Sequence, residues 1–377
     1  MKKRLLSILL LFCMALFLLP APAQAETAAA GAAIRLGTTD IHGYSAENGY
    51  SYIYYGTWQN QPIKWRVLDT KANTGETGAL FLLTDECLAD TLMPFNPKDK
   101  ANRHLWQGSD VQKWCSDTFY KDAFTASEQV LILAVDKTDK SRYDVYGNNW
   151  WQSGINENFQ AGSLNQERVF FLSWEEILNN DYGIRAVAST SLESFYWLRS
   201  YFMQRVNGVG SYHTTTVQPY GSLSGDDTNE YRAYARPAMN LSTDSDNILF
   251  ISAAKGGKPD GGLNSIDEYT GSEWKLTLKD SSRSGFQIKR VCASEGNLYI
   301  DYEGAETGEN EYISGYVIEN NSISHYGRLA KVTGGSGTVK IAKSSIPDNG
   351  SLYVYNEQYN GDKYTDYAGE AKLIGLR

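Results

Sequence analysis

Two polar stretches hold the side chains best suited to chemistry. Residues 137–164 carry Trp150 and Trp151 beside Asn148, Asn149 and Gln152. No apolar periodicity surrounds that pair. Flat indole faces suit sugar rings, and neighbouring amides supply hydrogen bonds. Residues 201–230 carry Tyr212, His213, Asp226, Asp227 and Glu230. Carboxylates in such a cluster are the raw material of glycoside hydrolysis, which needs two of them about 5–10 Å apart in a groove. Each feature has a plainer reading, since Trp is usually buried and an acidic cluster is usually a solvated face. Binding residues concentrate on loops held by a rigid scaffold. The two stretches are therefore expected to face one another across a cleft at one end of a domain.

Arg199 and Arg236 are candidates of another kind. In a strand, Phe195, Trp197 and Arg199 share one face. A guanidinium among large aromatics is desolvated and needs a carboxylate partner or a stacking face. It is either half of a core ion pair or a clamp for an anion or glycan. Glu175 and Glu176 resemble catalytic carboxylates but fall where a helix begins, which suits capping and the helix dipole. His42, His104, His213 and His325 are scattered and match no metal or catalytic motif. No metal or cofactor is expected, and no catalytic residue is assigned.

The elements that would position these residues follow from pattern. Tyr50 to Tyr55 and Pro62 to Asp69 read as strands around a turn, Gly56 to Gln61. Ile63, Trp65, Val67 and Asp69 alternate with Lys64, Arg66 and Leu68, the period of a half-buried strand. Ala79 to Thr84 is a continuous apolar run, predicted to be buried on both faces. Ser109 to Gln112, Thr125 to Glu128 and Ser173 to Glu176 each fit a capping box and predict helix starts. Further strands are expected at Val169 to Leu172, Phe195 to Ser200, Tyr212 to Gln218, Tyr231 to Arg236 and Ile248 to Ala253. After a Gly/Pro/Lys/Asp-rich stretch the chain changes character. From about Gly285, short strands recur with turn signals every 8–12 residues or so, the pattern of a small all-β sandwich. The expected division is residues 1–25, a leader; 26–48, a linker; 49–254, an α+β domain; 255–284, a linker; and 285–377, an immunoglobulin-like β-sandwich.

The N-terminus reads as a secretory signal peptide. Lys2, Lys3 and Arg4 precede an apolar run from Leu5 to Leu19, and Ala23-Gln24-Ala25 fits the cleavage pattern before Glu26. The run falls short of the ~20 residues that span a membrane. Cleavage removes three positive charges and no negative ones, so the net charge of −9 becomes −12. That balance argues against nucleic acid and against an anionic membrane surface. Three cysteines then remain, Cys87, Cys115 and Cys292. Their odd number excludes a fully paired framework, and Cys87 with Cys115 is open to pairing in an oxidising compartment.

Several motifs recur in a fixed order: Ile63-Lys64-Trp65-Arg66-Val67-Leu68-Asp69, Leu80 to Leu83, Trp106 followed by Ser109 to Phe119, Phe124 with Glu128, Phe170-Phe171-Leu172-Ser173 with Glu176, Trp197-Leu198-Arg199-Ser200, and Arg236-Pro237-Ala238. Through them residues 50–254 resemble the secreted bacterial domain of unknown function 6273, common in Gram-positive gut bacteria. That family is distantly similar to the fold shared by C-type lectins and formylglycine-generating enzymes. The resemblance implies an irregular α+β domain with long ligand-bearing loops, and no activity. Formylglycine generation needs a reactive cysteine pair late in the fold, and no cysteine lies between Cys115 and Cys292. The Glu-Pro-Asn and Gln-Pro-Asp triplets of calcium-dependent sugar binding do not occur either.

The expected function is therefore a secreted or cell-surface, non-catalytic binding protein, with a glycan or a surface protein as its partner. Wall association would be non-covalent, and no membrane insertion follows signal cleavage. The competing expectation is an extracellular hydrolase acting on carbohydrate or cell wall. Ligand contacts are expected at Trp150, Trp151, Arg199, Tyr212, His213, Asp226, Asp227 and Glu230.

Overall fold

The computed structural model describes residues 34–36, 41–96, 102, 104–146, 158–185, 195–206, 209–226, 231–254, 261–265, 271–320 and 322–375. The leader expected at 1–25 and most of the first expected linker lie outside these residues. After β1 (Ile34–Leu36), a hairpin is built from β2 (Tyr52–Trp58) and β3 (Gln61–Asp69). Its turn is Gln59-Asn60, with φ of 50° and 63°. Two residues at positive φ match the twist of the flanking strands. Gly56 sits against Phe124, where a Cβ would stand 2.6 Å from the ring. Along β3, Ile63, Trp65 and Val67 are buried and Lys64 and Arg66 half-buried. A register shift between Val67 and Asp69 then breaks the predicted alternation. Leu68 is buried and Asp69 is not, because a bulge turns the following side chain to the other face. β4 (Ala79–Thr84) is buried at all six positions, as its continuous apolar run predicts.

All three predicted helix caps form. Ser109 caps α1 (Asp110–Lys113), which continues through a π-helical segment, Trp114–Phe119, into α2 (Tyr120–Ala123). Gln112 does not close the expected box. Its Oε1 accepts instead from the Gly108 N–H at 2.6 Å. Thr125 and Glu128 form a complete capping box on α3 (Ala126–Gln129). β5 (Val135–Lys137), α4 (Arg142–Tyr146), β6 (Asn158–Phe159), β7 (Leu164–Glu167) and β8 (Val169–Phe170) follow. Ser173 and Glu176 form the second complete box, opening α5 (Trp174–Leu178).

A smaller sheet, ordered β11-β10-β9-β6, is made by β9 (Tyr196–Val206), β10 (Val209–Val217) and β11 (Leu223–Asp226). Tyr231 to Arg236, expected as a strand, contributes only the isolated bridges Met93↔Ala233 and Tyr196↔Tyr234. Pro237 follows directly and has no N–H to extend a ladder. β12 (Ala238–Ser242) and β13 (Ile248–Ala253) return to the main sheet.

The stretch expected as linker, 255–284, is not a linker throughout. It holds β14 (Asn264–Ser265) and β15 (Glu273–Lys279). Trp274, Leu276 and Leu278 of β15 are buried in the same cluster as Ile53, Trp65 and Val67. Alternating Trp, Leu and Leu between polar residues is a strand pattern that the nearby Gly and Pro hide. The chain ends with β16 (Gln287–Ser294), β17 (Asn297–Glu303), β18 (Glu311–Glu319), β19 (Ser322–Lys331), β20 (Ser336–Ala342), β21 (Ser351–Gln358), β22 (Asp366–Ala368) and β23 (Lys372–Ile374).

The main sheet runs β14-β19-β18-β21-β22-β15-β2-β3-β4-β12-β8. β16, β17 and β20 form a separate three-stranded sheet. Leu298, Ile300, Val339 and Ile341 from that sheet share a core with Ile313, Val317, Leu352 and Val354 from the main one. The two sheets thus share one core, and the main one continues into the strands of the first segment. The molecule is β-rich, with a few short helices. Among the described residues no helix is long and apolar enough to cross a membrane.

Cys87, Cys115 and Cys292 form no disulfide, so the pairing open to Cys87 and Cys115 does not occur, and the three differ in exposure. Cys115 is fully buried, and burial, with Glu167 nearby, pushes its thiol well up. Cys292 is exposed on β16. A maleimide is therefore expected to modify Cys292 in the native protein and Cys115 only after unfolding, because the thiolate is the reactive form. Peptide mass mapping of labelled native and denatured samples reads this directly. Native labelling of Cys115 would contradict the burial.

Candidate functional site

Arg199 lies on β9 at 0 % exposure. Its Nε donates to Asp139 Oδ2 at 3.0 Å and to the Gly162 carbonyl at 2.7 Å. Nη1 donates to the Phe171 carbonyl at 2.6 Å and to Glu176 Oε2 at 2.7 Å. Nη2 reaches Asp139 Oδ1 and Glu176 Oε1, each at 3.1 Å. Gly162 is required at this approach, since a Cβ there would stand 2.4 Å from the Arg199 carbonyl oxygen. Lys137 Nζ closes the network at 2.5 Å from Glu176 and 3.5 Å from Asp139.

This arrangement leaves the Arg199 guanidinium no donor for an outside ligand. Its place is the core ion pair, one of the two roles its aromatic surroundings allow. Glu176 combines helix capping with this pairing, because its Oε2 also accepts from the Ser173 N–H at 2.9 Å. Burial alone would raise the Glu176 carboxyl, but Arg199 and Lys137 outweigh it and hold the group well below the usual carboxylate range. Asp139 moves the other way, raised by burial and by the charge of Glu176 against the pull of Arg199 and Lys137. Two carboxylates sharing one cation divide in this manner. Arg236 is equally internal. It donates to the carbonyls of Thr84 at 3.1 Å and Asp85 at 2.7 Å, and lies 5.0 Å from the Tyr196 ring centroid.

The surface of the smaller sheet is different. Tyr212 on β10 is 50 % exposed. Its ring stacks on His104 with centroids 4.7 Å apart and planes 12° from parallel. Tyr201 of β9 meets both edge-on, 4.9 Å from His104 and 5.9 Å from Tyr212. Three rings from two parts of the chain thus make one aromatic platform. Burial, and Tyr212 beside it, raise the Tyr201 hydroxyl pKa. His213, expected beside Tyr212, turns to the opposite face, as consecutive strand residues must. It packs against Phe202 and lies 2.9 Å from Ser211 Oγ.

The other expected contacts divide as follows. Asp226 ends β11 opposite Thr214. Trp150, Trp151, Asp227 and Glu230 lie outside the described residues, and so does the proposed cleft between them. His104 and Tyr201 were missed by sequence reasoning. Tyr201 falls by alternation on the face of the buried Trp197 and Arg199, so nothing in residue order marked it as a surface ring. Nothing local marks His104 as its neighbour. Among the described residues, no group of three or more His, Cys, Asp and Glu side chains is placed to hold a metal ion.

The smaller sheet and the Arg199 network both fall in one recognisable segment. Residues 77–243 match the family model of a domain of unknown function, DUF6273. The match supports the resemblance to that family over these residues. The matched segment includes Arg199, Glu176, Asp139, Arg236, Tyr201, Tyr212 and His104, but not the hairpin β2–β3 or the strand β15 that complete its core. No curated protein and no solved structure matches the chain.

Proposed function

We propose that this is a secreted or cell-surface, non-catalytic binding protein whose ligand is a glycan. The observation that carries the reading is the half-exposed Tyr212 ring, held flat by His104 and braced by Tyr201. Pre-ordered rings offer sugar C–H faces a contact surface at little entropic cost. The buried charges work against catalysis at Arg199: Asp139 and Glu176 are both committed to one guanidinium. Trp150, Trp151, Asp227 and Glu230, expected from the sequence as ligand contacts, belong to the same proposal. A lectin-like arrangement of the first segment and an immunoglobulin-like arrangement of the last belong to the same proposal, supported by the β-rich fold and by the core that two sheets share in the last segment. Export rests on the leader-like N-terminus.

The test is a glycan array probed with and without calcium, beside a panel of hydrolase substrates. Tyr212→Ala is expected to reduce glycan binding at least tenfold at an unchanged melting temperature, because the side chain is half in solvent. Binding that survives the substitution would remove the platform from the site. Turnover of a polysaccharide or peptidoglycan substrate would replace the reading with the hydrolase.

A further inference from the structure

A second buried charge pair shares no residue with the Arg199 network. Lys275 of β15 is 1 % exposed and Asp366 of β22 is 0 % exposed. Their Nζ and Oδ2 atoms are 2.8 Å apart. Lysine is almost never fully buried, and an ion pair in the core recovers its desolvation cost poorly. The surroundings give each group a fixed geometry. Lys275 Nζ also donates to the Gly361 carbonyl and lies 4.7 Å from the Tyr359 ring centroid. The other Asp366 oxygen, Oδ1, accepts the Asn360 N–H at 2.9 Å. One carboxylate oxygen thus faces the amine while the other is held by a backbone donor.

A third buried ionisable group shares this face. β15 and β22 are parallel neighbours with Thr277 opposite Asp366. β21 pairs with β22 so that Glu357 stands opposite Ala368. Strand alternation therefore puts Lys275, Asp366 and Glu357 on one side of three adjacent strands. Glu357 is 0 % exposed, with Tyr326 Oη at 2.9 Å and Ser314 Oγ at 2.7 Å. Phe250, Tyr316, Tyr326 and Tyr355 make the apolar cover over this region.

We infer that Lys275 and Asp366 condense to an intramolecular isopeptide bond, with Glu357 as the proton shuttle. The Lys275 amine, having passed a proton to Glu357, attacks Asp366 Cγ. The new C–N bond forms as negative charge gathers on Oδ1, where the Asn360 N–H is already directed. Glu357 returns the proton toward Oδ2. The C–Oδ2 bond breaks, and that oxygen leaves as water with both protons lost from nitrogen. An ammonium and a carboxylate thus become one amide and one water, and no oxidant or co-reactant is required. The product carries no charge, so the core no longer holds a desolvated ion pair. It also ties β15 to β22 covalently across a long loop, which restricts the unfolded chain.

The experiment is tryptic peptide mapping of the folded, full-length protein, with intact mass as a second readout. The expected result is one branched peptide joining Lys275 to Asp366, lighter by one water, with no cleavage after Lys275. Lys275→Arg is expected to restore the full mass while keeping the charge pair. Glu357→Gln is expected to leave the chain folded by circular dichroism and uncross-linked. Lys275 and Asp366 recovered in separate unmodified peptides from folded wild-type protein would overturn the inference. A Glu357→Gln protein that still forms the bond would overturn the part assigned to Glu357. Dehydration at an Asp-Gly step has the same mass, and its appearance without the branched peptide would also count against the bond.

Discussion

A chain ended at Ala254 is expected to fail to fold, although sequence pattern places a domain boundary there. The reason is β15. Trp274, Leu276 and Leu278 are 0 %, 1 % and 1 % exposed and pack in the cluster of Ile53, Trp65 and Val67. Burying each such side chain contributes about 1.5–3 kcal/mol, so three contribute roughly 5–9 kcal/mol. The whole stability of a domain is about 5–15 kcal/mol. Truncation also strips the parallel partner from Tyr52, Ile53 and Tyr54 of β2 and the antiparallel partner from β13. Open edges of that kind pair with other chains. Soluble yield and thermal melting of chains ending at Ala254 and at Arg377 compare the two cases. A soluble short chain with a sharp melt would mean that β15 is dispensable to the first core.

Arg199→Ala is expected to destabilise the protein by about 3–5 kcal/mol, the usual cost of removing one partner from a buried charge network. Asp139 and Glu176 would be left facing one another with only Lys137, whose side chain is 19 % exposed. For a chain of this size that corresponds to a fall in melting temperature on the order of 10 °C. The two carboxylates should not behave alike. Glu176 is held below its usual range, so its charge contributes stability above that range and loses it as the pH falls. Asp139 is held above its usual range, so the fold already disfavours its charge. Asp139→Asn is thus expected to cost much less than Glu176→Gln, which also weakens the cap on α5. Melting curves of the three variants at neutral pH provide the measurement. Equal losses for the two carboxylates would contradict the division of charge between them, and an unperturbed Arg199→Ala would remove its structural role.

The parts legible in the sequence were the local ones. Ser109, Thr125 and Ser173 marked helix starts because a cap is completed within three residues. Ile63, Trp65 and Val67 marked a strand face because alternation follows from backbone geometry alone. The apolar run Ala79 to Thr84 announced a central strand because only a strand covered on both faces is apolar at every position. Reading failed where a partner overrode the pattern. β19, with His325, Gly327 and Arg328 in its middle, has a weak strand signal but is held along its length by β18. Tyr231 to Arg236 has the stronger strand signal, yet Pro237 ends it in isolated bridges.

The candidate site divides along the same line. Sequence alone determined that Arg199 stands among aromatics, that Glu176 begins a helix, and that Tyr212 lies in a polar strand. Only the tertiary structure decided what they meet. The partners of Arg199 lie 23, 37 and 60 residues away, at Glu176, Gly162 and Asp139. His104 reaches Tyr212, and Lys275 reaches Asp366, across still longer lengths of chain. Caps and alternation are set by a few bonds of backbone, so residue order suffices to specify them. A buried charge is satisfied by whatever the packing of distant strands brings within about 3 Å, and residue order carries no local trace of that encounter.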